Sequence, residues 1–205
     1  MYIVKLKNKA RGMVQVSKSK SYEEILQTEY NQKLDDKVIK VISEMYDYNT
    51  VEDLGNEHRF IDIRQRMMVM SYYKYGEMEI NYKRGKHLNA IGSLEKRLEA
   101  YEFEGNTELL CDIGNFAMIE YTYPTRDTKC EIEDEGREVD NNLEELKRYL
   151  KLYKDKGNKD CLCYVAAIAM AEFMRPQHEK SHYKKTDGKY EVVGYGINQL
   201  KSMAI

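Results

Sequence analysis

The stretch "NFAMIEYTYP" ends at Pro124 and "AIAMAEFMRP" ends at Pro176, and this echo restricts the fold of the chain more than any other feature. Laid over residues 143 to 176 without a gap, residues 91 to 124 match at eleven of thirty-four positions. They include Leu94/Leu146, Leu98/Leu150, Tyr101/Tyr153, Gly105/Gly157, Asn106/Asn158, Met118/Met170, Glu120/Glu172 and Pro124/Pro176. In each copy apolar residues recur at steps of three and four, stop at a Gly-Asn pair and resume, which is the pattern of two helices joined by a tight turn. A helical hairpin leaves an apolar face uncovered. Two copies are therefore expected to pack on each other as a bundle with pseudo-two-fold symmetry.

The rest of the chain is read around that unit. "YIVKL" and "MVQVS" alternate apolar and polar residues about "KNKARG", predicting a β-hairpin over residues 1–20. Ser21 and Glu24 form a capping box for one helix reaching about Tyr46, with Ile25, Leu26, Tyr30, Leu34, Val38, Val41, Ile42 and Met45 on its apolar stripe. After a break at "NTVEDLGN", Phe60, Ile63, Met67 and Met70 mark a helix that stops at Gly76. The expected fold is mainly α in a single domain, a bundle of helices around a duplicated hairpin. The lead-in covers 21–84, the first hairpin 86–124 with its first helix starting near Lys86, the second hairpin 141–176, and a tail 177–205 carries minor β structure at "KYEVVGY". The polar segment from "TRDTK" through "EDEG" reads as a loop or small hairpin between the copies.

Composition excludes several function classes. Thirty-three basic against thirty-five acidic residues leave a formal charge of -2, which argues against general nucleic-acid binding. The start has no apolar core of signal-peptide length, and no segment approaches the length of a membrane span, so a cytoplasmic protein without membrane partners is expected. Cys111, Cys130, Cys161 and Cys163 contain no CxxC pair and are read as reduced thiols. Eighteen tyrosines and no tryptophan suit either a Tyr-rich core or a pocket that stacks a flat ring.

The repeat lets one copy serve as a control for the other. Glu108, Asp112 and Asn115 stand at steps of four and three in the first copy, whereas the matching positions are Asp160, Tyr164 and Ala167. A polar stripe kept in one copy and dismantled in the other marks a candidate site. Glu99 and Glu102, a turn apart on the preceding helix, could face it and complete an oxygen-rich cluster of the kind Mg²⁺ takes. Glu120 and Glu172 are present in both copies and in apolar company, so a structural pairing across the dyad is expected of them. His178, Glu179 and His182 match the zinc-protease HExxH pattern, but Pro176 stops the helix that this chemistry needs. A loop offering His178, His182, Lys184 and Lys185 to a phosphate fits the segment better. Arg59, Arg64, Arg66 and the cluster "YKRGKH" are further anion-binding points.

The stretch "LEKRLEAYEFEGNTELLCDIGNFAMIEY" resembles small helical proteins of phages and prophages. More distantly it resembles the nucleotide modification associated domain and the all-α nucleotide pyrophosphohydrolases of the MazG and dimeric dUTPase kind. The resemblance implies a helical bundle, often dimeric, whose paired helices hold Mg²⁺ and a nucleoside polyphosphate, so a homo-oligomer is a further expectation. Glu99 and Glu102 match the spacing of that family's first acidic pair, while Glu108 and Asp112 are one residue wider than its second. Cleavage needs metals fixed to fractions of an ångström, and binding alone tolerates the change.

The leading expectation is thus a phage-type protein that binds a nucleotide or nucleotide-derived signal, by sequestration or by Mg²⁺-assisted phosphoanhydride cleavage. Glu99, Glu102, Glu108 and Asp112 would hold the metal, Asn115 would bond the ligand, and Tyr72 or Tyr75 would stack its base. A sequestering protein would lean instead on His182, Lys184 and Lys185. Phage proteins that soak up immune signalling nucleotides give the setting, by resemblance. The alternative is an interaction module that inhibits a host defence enzyme through a Met- and Tyr-rich surface such as "MMVMSYYKY".

Overall fold

A computed structural model describes residues 20–46, 50–129 and 140–186. The expected β-hairpin over 1–20, the strand at "KYEVVGY", the "EDEG" turn and Cys130 lie outside the described residues, apart from Lys20. The described part is mainly helical: α1 (Tyr22–Glu29), α2 (Gln32–Met45), α3 (Val51–Tyr75), α4 (Met78–Lys83), α5 (Ala90–Glu104), α6 (Glu108–Thr122), α7 (Asn142–Lys156) and α8 (Asp160–Met174).

Local sequence explains most boundaries. Ser21 and Glu24 form the reciprocal capping box at α1. The helix expected to run on to Tyr46 divides at Tyr30, which is extended (φ -99°, ψ 123°), and Asn31 starts α2 by accepting from the Leu34 amide at 3.2 Å. An Asn that caps its own helix competes with continuation of the previous one. Helix α3 begins inside the expected break, because Thr50 and Asp53 make a second capping box there. Asp53 is buried and gripped by Arg175 from beyond α8 at 2.8 and 2.5 Å, which holds its carboxyl down at about 2. The short α4 has no counterpart among the expected elements, and α5 begins at Ala90 rather than near Lys86, with Asn89 as its cap.

Helices α6 and α8 are apolar nearly all round and form the centre, as helices of that composition must. Helix α5 packs beside α6 and α7 beside α8, while α2 and α3 lie over the central pair. The two hairpins match in detail. Each has two helices of 15 residues, and each turn passes through a left-handed glycine, Gly105 (φ 73°) and Gly157 (φ 69°).

The segment leaving each hairpin crosses to the other. After α6, Lys129 lies along the α7–α8 turn, donating to Gly157 C=O at 2.8 Å and accepting from the Lys159 amide at 3.0 Å. After α8, His182 lies along the α5–α6 turn, donating to Gly105 C=O at 3.0 Å and accepting from the Thr107 amide at 2.8 Å. Both glycines are required twice over. A Cβ at Gly105 would stand 2.5 Å from the Lys180 carbonyl oxygen, and one at Gly157 would stand 2.7 Å from that of Asp127.

Candidate functional site

The α6 stripe is divided among three unrelated partners. Glu108 is buried and accepts from the Thr186 amide of the crossing tail. Asp112 pairs with the buried Arg97 of α5 at 3.0 Å, and burial raises its carboxyl against the pull of that guanidinium. Asn115 is buried against α3, accepting from Arg64 Nε at 3.2 Å and donating to the Arg64 carbonyl at 3.1 Å. Arg64 is itself buried, donates to Asp35 at 2.8 Å, and has Tyr30 on the far side of the same carboxylate. The stripe therefore docks α3, α5 and the tail onto α6.

The remaining expected ligands are dispersed as well. Glu99 and Glu102 are exposed, and Glu102 pairs with Lys147 of α7. Among the described residues no group of three or more His, Cys, Asp or Glu is gathered to hold a metal ion. Arg66 is exposed and pairs with Asp62 one turn away at 2.9 Å. Residues 176–186 are not helical, so His178 and His182 do not stand a turn apart on one helix face as the HExxH chemistry requires. His178 Nε2 bonds to the Glu102 carbonyl at 2.9 Å and its Nδ1 takes the Lys180 amide at 3.1 Å. Lys184 is held by its backbone, donating to Asn106 Oδ1 at 2.9 Å and accepting from Asn106 Nδ2 at 2.7 Å, with Lys185 exposed beyond it.

Tyr72 and Tyr75 do meet at a cavity. It holds about 50 Å³ and opens into a cleft with about 620 Å³ of empty space, between the end of α3, α4, the loop before α5 and the end of α6. Its aromatic walls are Tyr72, Tyr75, Tyr82, His87, Phe116 and Tyr123. Tyr82 is the hinge of this wall. It meets His87 edge-on at 4.6 Å between centroids and Tyr123 at 5.3 Å, and its hydroxyl donates to the Pro124 carbonyl at 3.3 Å. Gly76 ends α3 with φ 83°, and Asn81 returns to donate to the Tyr75 carbonyl at 2.9 Å, so the α3–α4 corner is locked and both tyrosines are presented together.

Charge is placed sparingly. Glu29, the last residue of α1, accepts the Met78 amide with both oxygens at 3.1 and 3.2 Å, and among the described residues it is the one carboxylate lining the cavity. Burial pushes its carboxyl up to about 7, with the Glu77 and Glu79 charges adding and the Met78 amide and Lys20 opposing. Lys86 lines the same space and makes no ion pair among the described residues. Lys20 stands 5.7 Å over the Tyr72 ring and Lys74 5.0 Å over that of Tyr75.

Sequence pattern singles out Tyr72, Tyr75 and the "YKRGKH" cluster that supplies Tyr82, Lys86 and His87, but it carries no sign of Glu29, Phe116 or Tyr123 as lining residues. Those three come from elements far apart in the chain, and only packing brings them together. Comparison with family models, with curated proteins and with solved structures finds no match. No described helix is long and apolar enough to cross a membrane.

Proposed function

We propose that this chain is a binding protein for a nucleotide or nucleotide-derived signal, and that it works by sequestration. The observation that carries this reading is the aromatic cavity: Tyr72, Tyr75, Tyr82 and Tyr123 line a space that the half-buried Glu29 and Lys86 also border. A cavity of about 50 Å³ admits roughly three to five water molecules, which is the bulk of a flat ring. Stacking on aromatic faces is worth about 1–3 kcal/mol per base and needs no fixed metal. Lys86 and the exposed Arg84 of the same loop suit the phosphates, and any Mg²⁺ would arrive with them, as that ion does where it keeps most of its water.

Sequestration is favoured over cleavage because Glu99, Glu102, Glu108 and Asp112 go separate ways. The interaction-module reading draws on Met70, two-thirds exposed, and on Tyr73. Against it, Met68 and Val69 are buried and Tyr72 and Tyr75 turn to the cavity, so "MMVMSYYKY" does not form one exposed patch. The two hairpins are further proposed to be copies of one ancestral unit. Equal helix lengths, equivalent glycines and exchanged tails support that history.

A thermal-shift screen of nucleoside mono-, di- and triphosphates and cyclic dinucleotides, with and without Mg²⁺, tests the binding reading. A stabilising nucleotide whose effect is lost in Tyr72→Ala and Tyr75→Ala supports it. A nucleotide effect that survives both replacements removes the cavity as its site.

A further inference from the structure

The Glu29 carboxylate, the one such group lining the cavity among the described residues, bears on which base fits. Glu29 is tethered at the C-terminus of α1, and Met78, at the start of α4, gives one amide hydrogen to its two oxygens. A carboxylate has about four acceptor positions, so acceptor capacity remains after that bond. Glu29 is half-buried and also borders a neighbouring cavity of about 440 Å³ lined by Tyr30, Asn31 and Met118. Tyr72, Tyr75, Tyr82, Phe116 and Tyr123 line the same space as Glu29.

Among the common bases, guanine alone presents two parallel N–H donors on its pairing edge, N1–H and the N2 amino group, at the spacing of a carboxylate. Adenine and cytosine set an acceptor beside a donor, and uracil sets a donor between acceptors. Resting on the nucleotide reading above, we infer that the cavity selects guanine, with the Glu29 carboxylate accepting from N1 and N2 while Tyr72 and Tyr75 stack the ring. A site built to pair with donors rejects a base lacking them far more strongly than an apolar pocket rejects a change of size.

The surroundings of Glu29 add a pH signature. Lys20 faces it from before α1, Glu77 and Glu79 from α4, Tyr72 and Tyr75 from α3, Tyr123 from the end of α6, and Lys86 with His87 from the loop before α5. With its carboxyl held near 7, the free protein carries the ionised form for only part of the time at neutrality. Guanine uses the ionised form and adenine can pair only with the protonated one. Preference for guanine therefore rises with pH.

Calorimetric titration of the full chain with GMP, IMP and AMP at pH 6 and pH 8 tests this. IMP keeps N1–H and lacks the N2 amino group. The expected order at pH 8 is GMP, then IMP, then AMP, and the GMP-to-AMP ratio grows by about tenfold or more between pH 6 and pH 8, one decade being what a group titrating near 7 supplies. That ratio cancels the titration of the phosphate. Glu29→Gln, which keeps an oxygen for the Met78 amide, should flatten both the order and the pH trend. Equal affinities for GMP and AMP, or a GMP preference unchanged by Glu29→Gln, overturn the guanine assignment and leave the nucleotide reading standing. Binding of no nucleotide at all overturns both. Should Glu29→Gln fail to fold, the wild-type ranking of GMP over IMP and its pH trend decide alone.

Discussion

The hydroxyl of Tyr101, on the first hairpin, donates to Glu172 of the second at 2.7 Å, with both side chains fully buried. The mirror contact runs from Tyr153 to Glu120 at 2.5 Å. The two are not equally supported. Glu172 Oε2 also accepts from Asn142 at 2.9 Å, whereas Ala90 stands at the matching place of the first copy and Glu120 Oε2 has no partner among the described residues.

Removing either hydroxyl should therefore destabilise the fold unequally. Tyr101→Phe leaves Glu172 its bonds from Asn142 and from the Gln177 and His178 amides, so a loss of about 1 kcal/mol is expected. Tyr153→Phe leaves Glu120 only the Thr125 donors, and about 2–3 kcal/mol should be lost. Urea denaturation of the two variants measures the difference.

Arg64 is the most consequential single charge in the core. Arg64→Met leaves the buried Asp35 charge with the Tyr30 hydroxyl but no paired cation among the described residues, frees the Asn115 oxygen of its donor, and should cost about 3–5 kcal/mol. Adding Asp35→Asn should recover part of that loss. A double variant that loses the full sum of the two singles would show that the pair is not coupled.

Gly105→Ala should both strain the left-handed turn and push on the Lys180 carbonyl, for about 1–3 kcal/mol. The second effect is diagnostic. Amide exchange at His182 and Lys184 should quicken in this variant, and in Gly157→Ala the equivalent quickening should appear at Lys129.

Stability should respond to pH in opposite senses at two carboxyls. Asp53 is held down at about 2, so its contribution is present above the ordinary aspartate range and is lost as pH falls toward 2; Arg175→Ala should raise the pH of acid unfolding. Glu29 is raised to about 7, so the folded protein keeps a proton that the unfolded chain releases from about 4.5 upward. Its contribution to stability falls as pH climbs from there to 7 and is then constant. Glu29→Gln should leave the melting temperature nearly unchanged at pH 5 and raise it at pH 8.

The helices on either side of Gly105 and Gly157 are legible, because these glycines and the recurring leucines report local geometry, which short stretches of sequence encode directly. The division at Tyr30 is not legible from apolar periodicity, since Tyr30 and Leu34 keep the helical step across it, and the break rests on the Asn31 cap alone. The α6 stripe shows a related limit. Glu108, Asp112 and Asn115 share a face as their spacing requires, but spacing cannot reveal that Thr186, Arg97 and Arg64 arrive to occupy them. Tyr72 and Tyr75 were recognisable as ring-stacking residues, whereas Glu29 and Tyr123, which complete their cavity, carry no local mark.

The exchange of tails sets the order in which this protein can be finished during synthesis. The first hairpin emerges early, yet its turn waits for His182, so it must persist half-clasped until the segment beyond α8 has left the ribosome. Polypeptides cut within residues 130–139 should accordingly be poor structures alone and should restore each other when mixed, each lending the strap its counterpart lacks.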